Sequence, residues 1–309
     1  MQTAKNARFA FVLLFLLYMF DYIDRMVIVS LFPYLKQDWQ LSDTQCGLLV
    51  SAVYWSILLF SFPVSIIIDR WSRKKTIGLM SVLWSLATLA CVFTRNFKQL
   101  FVTRVAIGVG EAGYAPGGTA LISALYPPEK RARMLGIWNA SIPLGSAIGI
   151  AAGGIIAEHL GWRHAFGIVA VPGLIFALLF FKVKDYKTIR MDTHKDAASA
   201  GAIGLKSKAV HTTASLLKPS LIFNNLAFAA NVFVTTAMLS WLPTYFHRLD
   251  GLPMSQAGPK AGLIVFMAIV GAPLGGYLSD RWTARTNRAR LLFPGLSSAV
   301  SALILFLAF

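Results

Sequence analysis

The chain has 309 residues, of which 56% are hydrophobic and only 14% are charged, against about 25% in an ordinary soluble domain. This composition excludes an intrinsically disordered chain and argues against a water-soluble globule, which could not bury so much apolar surface. The 29 Lys and Arg residues against 13 Asp and Glu give a net charge of +16, typical either of a nucleic-acid-binding protein or of a membrane protein with basic loops.

Nine apolar segments have roughly the length that a membrane-spanning helix needs, about 20 residues. We predict helices rather than β-strands, because the segments lack the short alternating pattern of a membrane β-barrel. The sequence therefore predicts an all-α polytopic membrane protein. In chain order, the predicted spans cover roughly residues 9–35, 46–68, 76–94, 99–125, 134–157, 164–181, 220–246, 260–279 and 291–309.

The charged residues are divided unequally between the two sides of these nine helices. The loops on the side of the N-terminus carry a net +15, those on the opposite side carry +2, and five charges within the helices sum to −1. The positive-inside rule then places the N-terminus in the cytoplasm and explains the basic composition without nucleic acid. We expect a multi-pass protein of the plasma membrane, in a bacterium the inner membrane.

One long polar connection divides the chain into a six-helix half, residues 1–181, a cytoplasmic linker, residues 182–219, and helices 7–9, residues 220–309. The linker is rich in Lys and Arg, and such segments bind anionic membrane lipids. It therefore motivates one hypothesis from another class of function, a membrane receptor or scaffold that does not transport.

The two predicted halves share an internal repeat. Asp69-Arg70-Trp71 recurs 211 positions later as Asp280-Arg281-Trp282, and Leu41, Gln45 and Gly47 recur at the same offset as Leu252, Gln256 and Gly258. Both copies of the Asp-Arg-Trp turn lie on the predicted cytoplasmic side. Parallel repeats of this kind are a known plan of membrane transporters, whose substrate site lies between the halves near the middle of the membrane.

The first of these turns reads Ser65-Ile66-Ile67-Ile68-Asp69-Arg70-Trp71-Ser72-Arg73-Lys74. It resembles the Gly-x-x-x-Asp-Arg-x-Gly-Arg-Lys signature of the major facilitator superfamily, with Ser at both Gly positions. The resemblance implies a twelve-helix bundle, so we interpret the nine-helix chain as a fragment or truncated product. It also implies a conformational latch that holds the cytoplasmic side closed; simple basic anchors are the alternative interpretation. The predicted latch residues are Asp69, Arg70, Arg73, Lys74, Asp280 and Arg281.

Five charged residues lie inside predicted helices: Asp21, Asp24 and Arg25 in helix 1, and Arg104 and Glu111 in helix 4. Each would cost about 2.5–3.5 kcal/mol if unpaired at the centre of a membrane helix, so we expect them to pair or to face a wet cavity. Spacings of four and seven residues place Asp21 with Arg25, and Arg104 with Glu111, on common helix faces. Such acid–Arg pairs indicate a proton-coupled carrier whose Arg can hold an anionic solute; a static ion network is the alternative.

The same residues carry a closer resemblance. Asp21-Tyr22-Ile23-Asp24-Arg25 looks like the start of helix 1 in the spinster-like branch of the superfamily, and the segment from Arg104 to Ala112 is similar to its helix-4 motif. The resemblance implies transport of lysolipid-like or sphingolipid-like amphiphiles. Asp24 and Glu111 are then the protonation sites and Arg25 and Arg104 their partners, with Asp21 as an additional carboxylate. Sialin-like organic-anion symporters share these charges and are the nearest rival.

Small residues on helix 5 predict close helix packing, because Gly145, Gly149 and Gly153 form a doubled Gly-x-x-x-Gly pattern. No motif indicates an enzyme, a metal site or a cofactor. We expect a monomer whose partners are a small-molecule substrate, protons and membrane lipids, and not nucleic acid.

Overall fold

A computed structural model of the chain describes residues 4–70, 72–183, 219–286 and 288–308. Within these ranges all regular structure is helical, with α-helices and one short 3-10 turn, Ile28–Ser30. In the first part of the chain the helices are α1 Ala4–Val27, α2 Phe32–Trp39, α3 Asp43–Arg70, α4 Arg73–Cys91, α5 Phe97–Glu111, α6 Tyr114–Leu125, α7 Pro128–Asn139, α8 Ser141–Leu160 and α9 Trp162–Phe180. The later helices are α10 Pro219–Leu249, α11 Met254–Phe266, α12 Ala268–Thr283 and α13 Ala289–Ala308.

Several helices begin at residues whose side chains satisfy free backbone groups. At the start of α3, the backbone N–H of Ser42 donates to Gln45 Oε1 at 2.9 Å and the N–H of Gln45 donates to Ser42 Oγ at 3.2 Å. This reciprocal pair is a capping box. The side chain of Asn96 caps α5 in the same sense, by accepting from the N–H of Gln99 at 3.0 Å.

Every predicted span coincides with helix, but four of the nine consist of two helices rather than one. In the first of them, the α-helix ends at Val27 and a new helix begins with Pro33 in its first turn, where the missing proline N–H does no harm. The other three breaks fall between α5 and α6, between α7 and α8, and between α11 and α12.

Five helical stretches in the described part of the chain are long and apolar enough to cross a membrane. The predicted number of nine membrane spans is therefore not confirmed. The prediction of an all-helical membrane fold is confirmed. These stretches are Asp43–Ile68, Glu129–Leu160, Trp162–Phe180, Pro219–Leu249 and Met254–Thr283; the apolar helix Leu292–Leu307 is shorter.

The chain divides into two compact units. The first comprises residues 1–185 and 239–297, and in it α8 packs against both α1 and α11, while α5 packs against α3 and α4. The described residues of the second unit, 219–238 and 298–308, are helical. Most of the predicted linker, residues 184–218, lies outside the described residues, so the division at 181 and 219 stays a prediction.

Candidate functional site

A buried ion cluster joins α1 to α5. Arg25 Nη2 donates to Asp21 Oδ2 at 3.1 Å and to Glu111 Oε2 at 2.7 Å. The three side chains are at most 8% exposed. The cluster thus places one cation between two carboxylates in the interior of the helix bundle, one from its own helix and one from a neighbouring helix.

Two aromatic rings complete the surroundings of Arg25. Its guanidinium carbon lies 4.7 Å from the ring centre of Tyr22 and 5.3 Å from that of Tyr54, distances at which a cation is attracted to an aromatic face. Three polar atoms of the cluster have no hydrogen-bond partner among the described residues: Asp21 Oδ1, Glu111 Oε1 and Arg25 Nε. The cluster therefore retains hydrogen-bonding capacity on both carboxyl groups and on the guanidinium.

Asp24, the third carboxylate of α1, lies in a different environment. It is fully buried, and its Oδ2 lies 3.2 Å from the hydroxyl of Thr88 on α4, which has a second acceptor in the Trp84 carbonyl oxygen at 3.0 Å. Its other oxygen has no described partner, and none of the described cations lies within ion-pair distance of it. Asp24 is thus a buried carboxyl group whose described side-chain partner is a neutral hydroxyl.

Arg104 bonds to the backbone rather than to a carboxylate. Its Nε donates to the carbonyl oxygen of Leu49 at 3.2 Å, Nη1 to that of Asp24 at 3.2 Å, and Nη2 to that of Arg25 at 3.3 Å. The structure therefore brings all five charged residues together, but it pairs Glu111 with Arg25 and leaves the Asp24 carboxyl group without an Arg partner among the described residues.

Thr88 was not among the site residues predicted from the sequence. The signal that could have found it is a stripe of hydroxyl residues on the apolar helix α4, since Ser81, Ser85 and Thr88 follow one another at spacings of four and three. All three are fully buried. Residues at these spacings share one helix face, and Thr88 is the member of the stripe that contacts a carboxyl group of another helix.

The three glycines of the predicted Gly-x-x-x-Gly pattern in α8 lie against the backbone of α1. A Cβ atom at Gly149 would come within 2.7 Å of the Ile23 carbonyl oxygen, and one at Gly153 within 2.8 Å of that of Val27; Gly145 contacts Met19 in the same way. These contacts place α8 directly beside the turn of α1 that carries the charges. The adjacent Gly154 faces the opposite neighbour, α11, at Met254.

The predicted latch is described only in part. Trp71 and the side chains of Asp69, Arg70 and Arg73 lie outside the described part of the structure, and Lys74 is partly exposed in the first turn of α4. In the second copy, Asp280 is exposed and Arg281 donates to the hydroxyl of Tyr277 at 3.2 Å, one helical turn earlier. A latch function therefore stays a prediction.

A second group of ion pairs lies at the exposed ends of α2, α3 and α10. Arg248 donates to both carboxylate oxygens of Asp43, at 2.6 and 3.1 Å, and Lys36 contacts the same carboxylate at 2.7 Å. The Asp43 side chain is 48% exposed. These residues link the end of α10 to the start of α3, and the start of α3 to α2.

Comparisons with known proteins agree with this fold. The family model of the Major Facilitator Superfamily matches residues 14–309. The hexuronate transporter of Bacillus subtilis is 29% identical over 280 residues, which are 91% of this chain and 66% of that protein. Human protein spinster homolog 1 is 28% identical over 305 residues, which are 93% of this chain and 57% of that protein.

A solved structure shows the same arrangement of helices. The crystal structure of a bacterial homolog to the human lysosomal transporter Spinster, in an inward-facing and unoccupied conformation, superimposes with a TM-score of 0.76 at 25% identity. The match covers 92% of this chain and 64% of that one. The chain thus spans about two thirds or less of the length of these relatives.

These relatives are transporters, which agrees with the prediction that the chain is not an enzyme. The matched family model covers almost the whole chain, and the human spinster protein and the spinster structure each match more than nine tenths of it. The chain is therefore a multi-pass membrane protein that belongs to the Major Facilitator Superfamily and is similar to the spinster proteins within it.

Proposed function

We propose that the chain acts in proton-coupled secondary transport of an amphiphilic or organic-anion solute by alternating access. The observation that carries this proposal is the buried cluster in which Arg25 bonds to both Asp21 and Glu111. Charged side chains inside a membrane protein are costly and are usually retained for ion or substrate movement. In a member of this superfamily, such a cluster supports a coupling role over a purely structural one.

The balance of charge supplies the mechanism. When Asp21 and Glu111 are both ionised, the cluster with Arg25 carries a net negative charge, which a buried site disfavours. Binding one proton neutralises the cluster and weakens the hold of that carboxyl group on Arg25. The guanidinium then becomes available to an anionic group of the solute, so proton binding and solute binding are linked.

Asp24 is the second proposed protonation site. Its carboxyl group is buried without an ion-pair partner among the described residues, and a charge in that position would be expensive. The hydroxyl of Thr88 can either donate to the ionised carboxylate or accept from the protonated acid. Arg104 is the proposed charge partner of Asp24, with its guanidinium bonded to the carbonyl oxygen of the same residue.

The solute is proposed from two kinds of relative. Similarity to spinster proteins supports a lysolipid-like or sphingolipid-like amphiphile, whereas similarity to a hexuronate transporter supports a small carboxylate in the manner of sialin-like symporters. Both classes include molecules with an anionic group that a buried Arg can bind. We further propose a monomer in a bacterial inner membrane with a cytoplasmic N-terminus, and a cytoplasmic latch at the two Asp-Arg turns.

Uptake into proteoliposomes tests the proposal. Vesicles that contain the chain are supplied with a pH gradient and with either D-galacturonate, a hexuronate, or a lysophospholipid. We expect the gradient to drive uptake of one of them, and Glu111→Gln and Asp24→Asn each to reduce it at least tenfold with altered pH dependence.

The matched control is Asp250→Asn, which removes an exposed carboxylate that pairs with Lys260 at 2.8 Å. This variant should transport like the wild type. Wild-type rates and an unchanged pH profile in both Glu111→Gln and Asp24→Asn would refute the coupling assignment.

A further inference from the structure

The hydrogen bonds that the guanidinium of Arg104 makes to described residues go to backbone carbonyl oxygens. All three of its nitrogen atoms donate to carbonyl oxygens, two of them on consecutive residues of α1 and one on α3. We propose that Arg104 is a positioning residue that caps the C-terminal turn of α1 and thereby fixes Asp24 and Arg25, and that it does not itself bind the transported solute. This inference rests on the proposed coupling role of those two residues.

The two α1 carbonyl groups that accept from Arg104 lie near the C-terminal end of that helix. The α-helix stops at Val27 and continues as the 3-10 turn Ile28–Ser30, so Asp24 and Arg25 belong to its last turn. Carbonyl groups in the last turn of a helix lack regular partners within the helix. They also carry the negative end of the helix dipole, which a cation stabilises. Arg104 supplies both hydrogen-bond donors and a positive charge at this end.

A glycine on α5 lets the side chain reach this position. Gly108 lies one turn after Arg104, and a Cβ atom there would come within 2.5 Å of the Val53 carbonyl oxygen on α3. Val53 in turn lies one helical turn after Leu49, which accepts from Arg104 Nε. The backbones of α5 and α3 are therefore in direct contact beside the guanidinium, which shields it completely from solvent.

The segment after α1 is held from a second side. The hydroxyl of Ser30 donates to the Ile150 carbonyl oxygen on α8 at 2.7 Å. The break in helix 1 is thus fastened by Arg104 from α5 and by Ser30 from α8. Because Asp24 and Arg25 lie in the last turn before the break, a change in its conformation would move the carboxyl group and the guanidinium together.

Substitution of Arg104 by Lys distinguishes a role in capping the end of α1 from a role of the positive charge alone. Lys keeps the positive charge, but its single ammonium group cannot reproduce the planar fork that spans three carbonyl oxygens. If Arg104 acts only as a charge near Asp24, Arg104→Lys should behave like the wild type. The matched control is Arg163→Lys, since Arg163 also donates to a backbone carbonyl oxygen, that of Thr94 at 3.3 Å, but is partly exposed.

The first readout is hydrogen exchange of the backbone amides, measured by mass spectrometry on the purified chain in lipid nanodiscs. We expect exchange across residues 24–31 to accelerate about tenfold or more in Arg104→Lys, because hydrogen bonds to a charged donor are lost. Ser30→Ala should accelerate exchange in the same segment to a smaller extent, and Arg163→Lys should leave it unchanged. Unaltered exchange in Arg104→Lys would overturn the capping role, whether or not the chain transports.

The second readout is the kinetics of uptake in the proteoliposome assay. If Arg104 is a positioning residue, Arg104→Lys should lower the maximal rate about tenfold with KM within about twofold of the wild type, since KM follows solute affinity when solute release is faster than the transport step. A tenfold rise in KM with unchanged exchange would instead make Arg104 a solute ligand and overturn the inference. Failure of Asp24→Asn and Glu111→Gln to alter transport would refute the proposed coupling while leaving the exchange result valid.

Discussion

Two regions of the molecule use the same ion-pair chemistry in opposite surroundings. In the interior, Arg25 holds Asp21 and Glu111 with side chains at most 8% exposed, whereas at the exposed ends of α3 and α10 Arg248 holds Asp43 with side chains 44% and 48% exposed. The exposed pair has the shorter and two-pronged contact. Distance therefore does not distinguish the two pairs; burial does, because the interior charges have lost their hydration.

The largest expected effect comes from removal of the interior cation. Arg25→Ala leaves Asp21 and Glu111 buried without a counter-ion, and we expect a loss of about 3–5 kcal/mol in the free energy of unfolding. Chemical unfolding in detergent micelles measures it. The matched variant Arg248→Ala should cost at most about 1 kcal/mol. Equal losses in the two variants would show that burial does not set the difference.

A second comparison concerns two glycines, one in crowded and one in open surroundings, and the effect on stability of replacing each by Ala. Gly149→Ala places a methyl group 2.7 Å from the Ile23 backbone oxygen, and we expect it to destabilise the chain by about 1–3 kcal/mol. A Cβ atom at Gly136 in α7 would meet no neighbouring element within 4 Å, so Gly136→Ala should stabilise by about 0.5–1 kcal/mol through helix propensity. Thermal unfolding compares the two, and a stabilising Gly149→Ala would contradict the close packing of α8 on α1.

Two hydroxyl residues on α4, Thr88 and Ser81, allow a similar comparison with smaller expected losses of stability. Thr88→Val removes the described partner of the Asp24 carboxyl group, and we expect a loss of about 1 kcal/mol. Both hydroxyls also contact a carbonyl oxygen of their own helix, Ser81 that of Ile77 and Thr88 that of Trp84, but Ser81 lacks a carboxylate partner among the described residues, so Ser81→Ala should cost clearly less, about 0.5 kcal/mol. The unfolding midpoints of Thr88→Val and Ser81→Ala, measured in the same detergent, compare the two losses of stability. A larger loss in Ser81→Ala would argue against the Thr88–Asp24 bond.

The smallest effect is expected at the exposed end of α3. Asp43→Asn weakens the contacts with Arg248 and Lys36, and should cost about 0.2–1 kcal/mol in low salt. High salt should remove most of this loss, because ions screen exposed charges. Unfolding measured at two salt concentrations tests both statements. A loss of several kcal/mol that salt does not reduce would mean that this pair is energetically equivalent to the interior cluster.

Much of the interior site could be predicted from spacing alone. Asp21 and Arg25 lie four residues apart on one helix, and an α-helix places such residues side by side wherever it packs. The cost of unpaired charges inside apolar helices also predicts that these residues find partners, and the bond between Arg25 and Glu111 is one such pair.

The identity of the partners could not be predicted in the same way. Asp24 lies next to Arg25 in sequence, yet its side chain turns toward Thr88, because neighbouring residues on a helix point in different directions. Likewise, Gly153 contacts α1 while Gly154 contacts α11, a division that a pattern of small residues does not reveal. The break of helix 1 at Val27 was also missed, since the apolar run continues through it.

The sequence by itself determined the family, the helical membrane fold and the five charges that must be accommodated within it, because hydropathy and signature motifs are local properties of the chain. Only the tertiary structure decided which charge meets which partner. Arg104 illustrates the reason: its bonds reach carbonyl oxygens of residues 49, 24 and 25, and backbone oxygens are present at every position, so nothing in the sequence distinguishes them. They became partners because α1 ends beside α5 and Gly108 lets α5 approach α3.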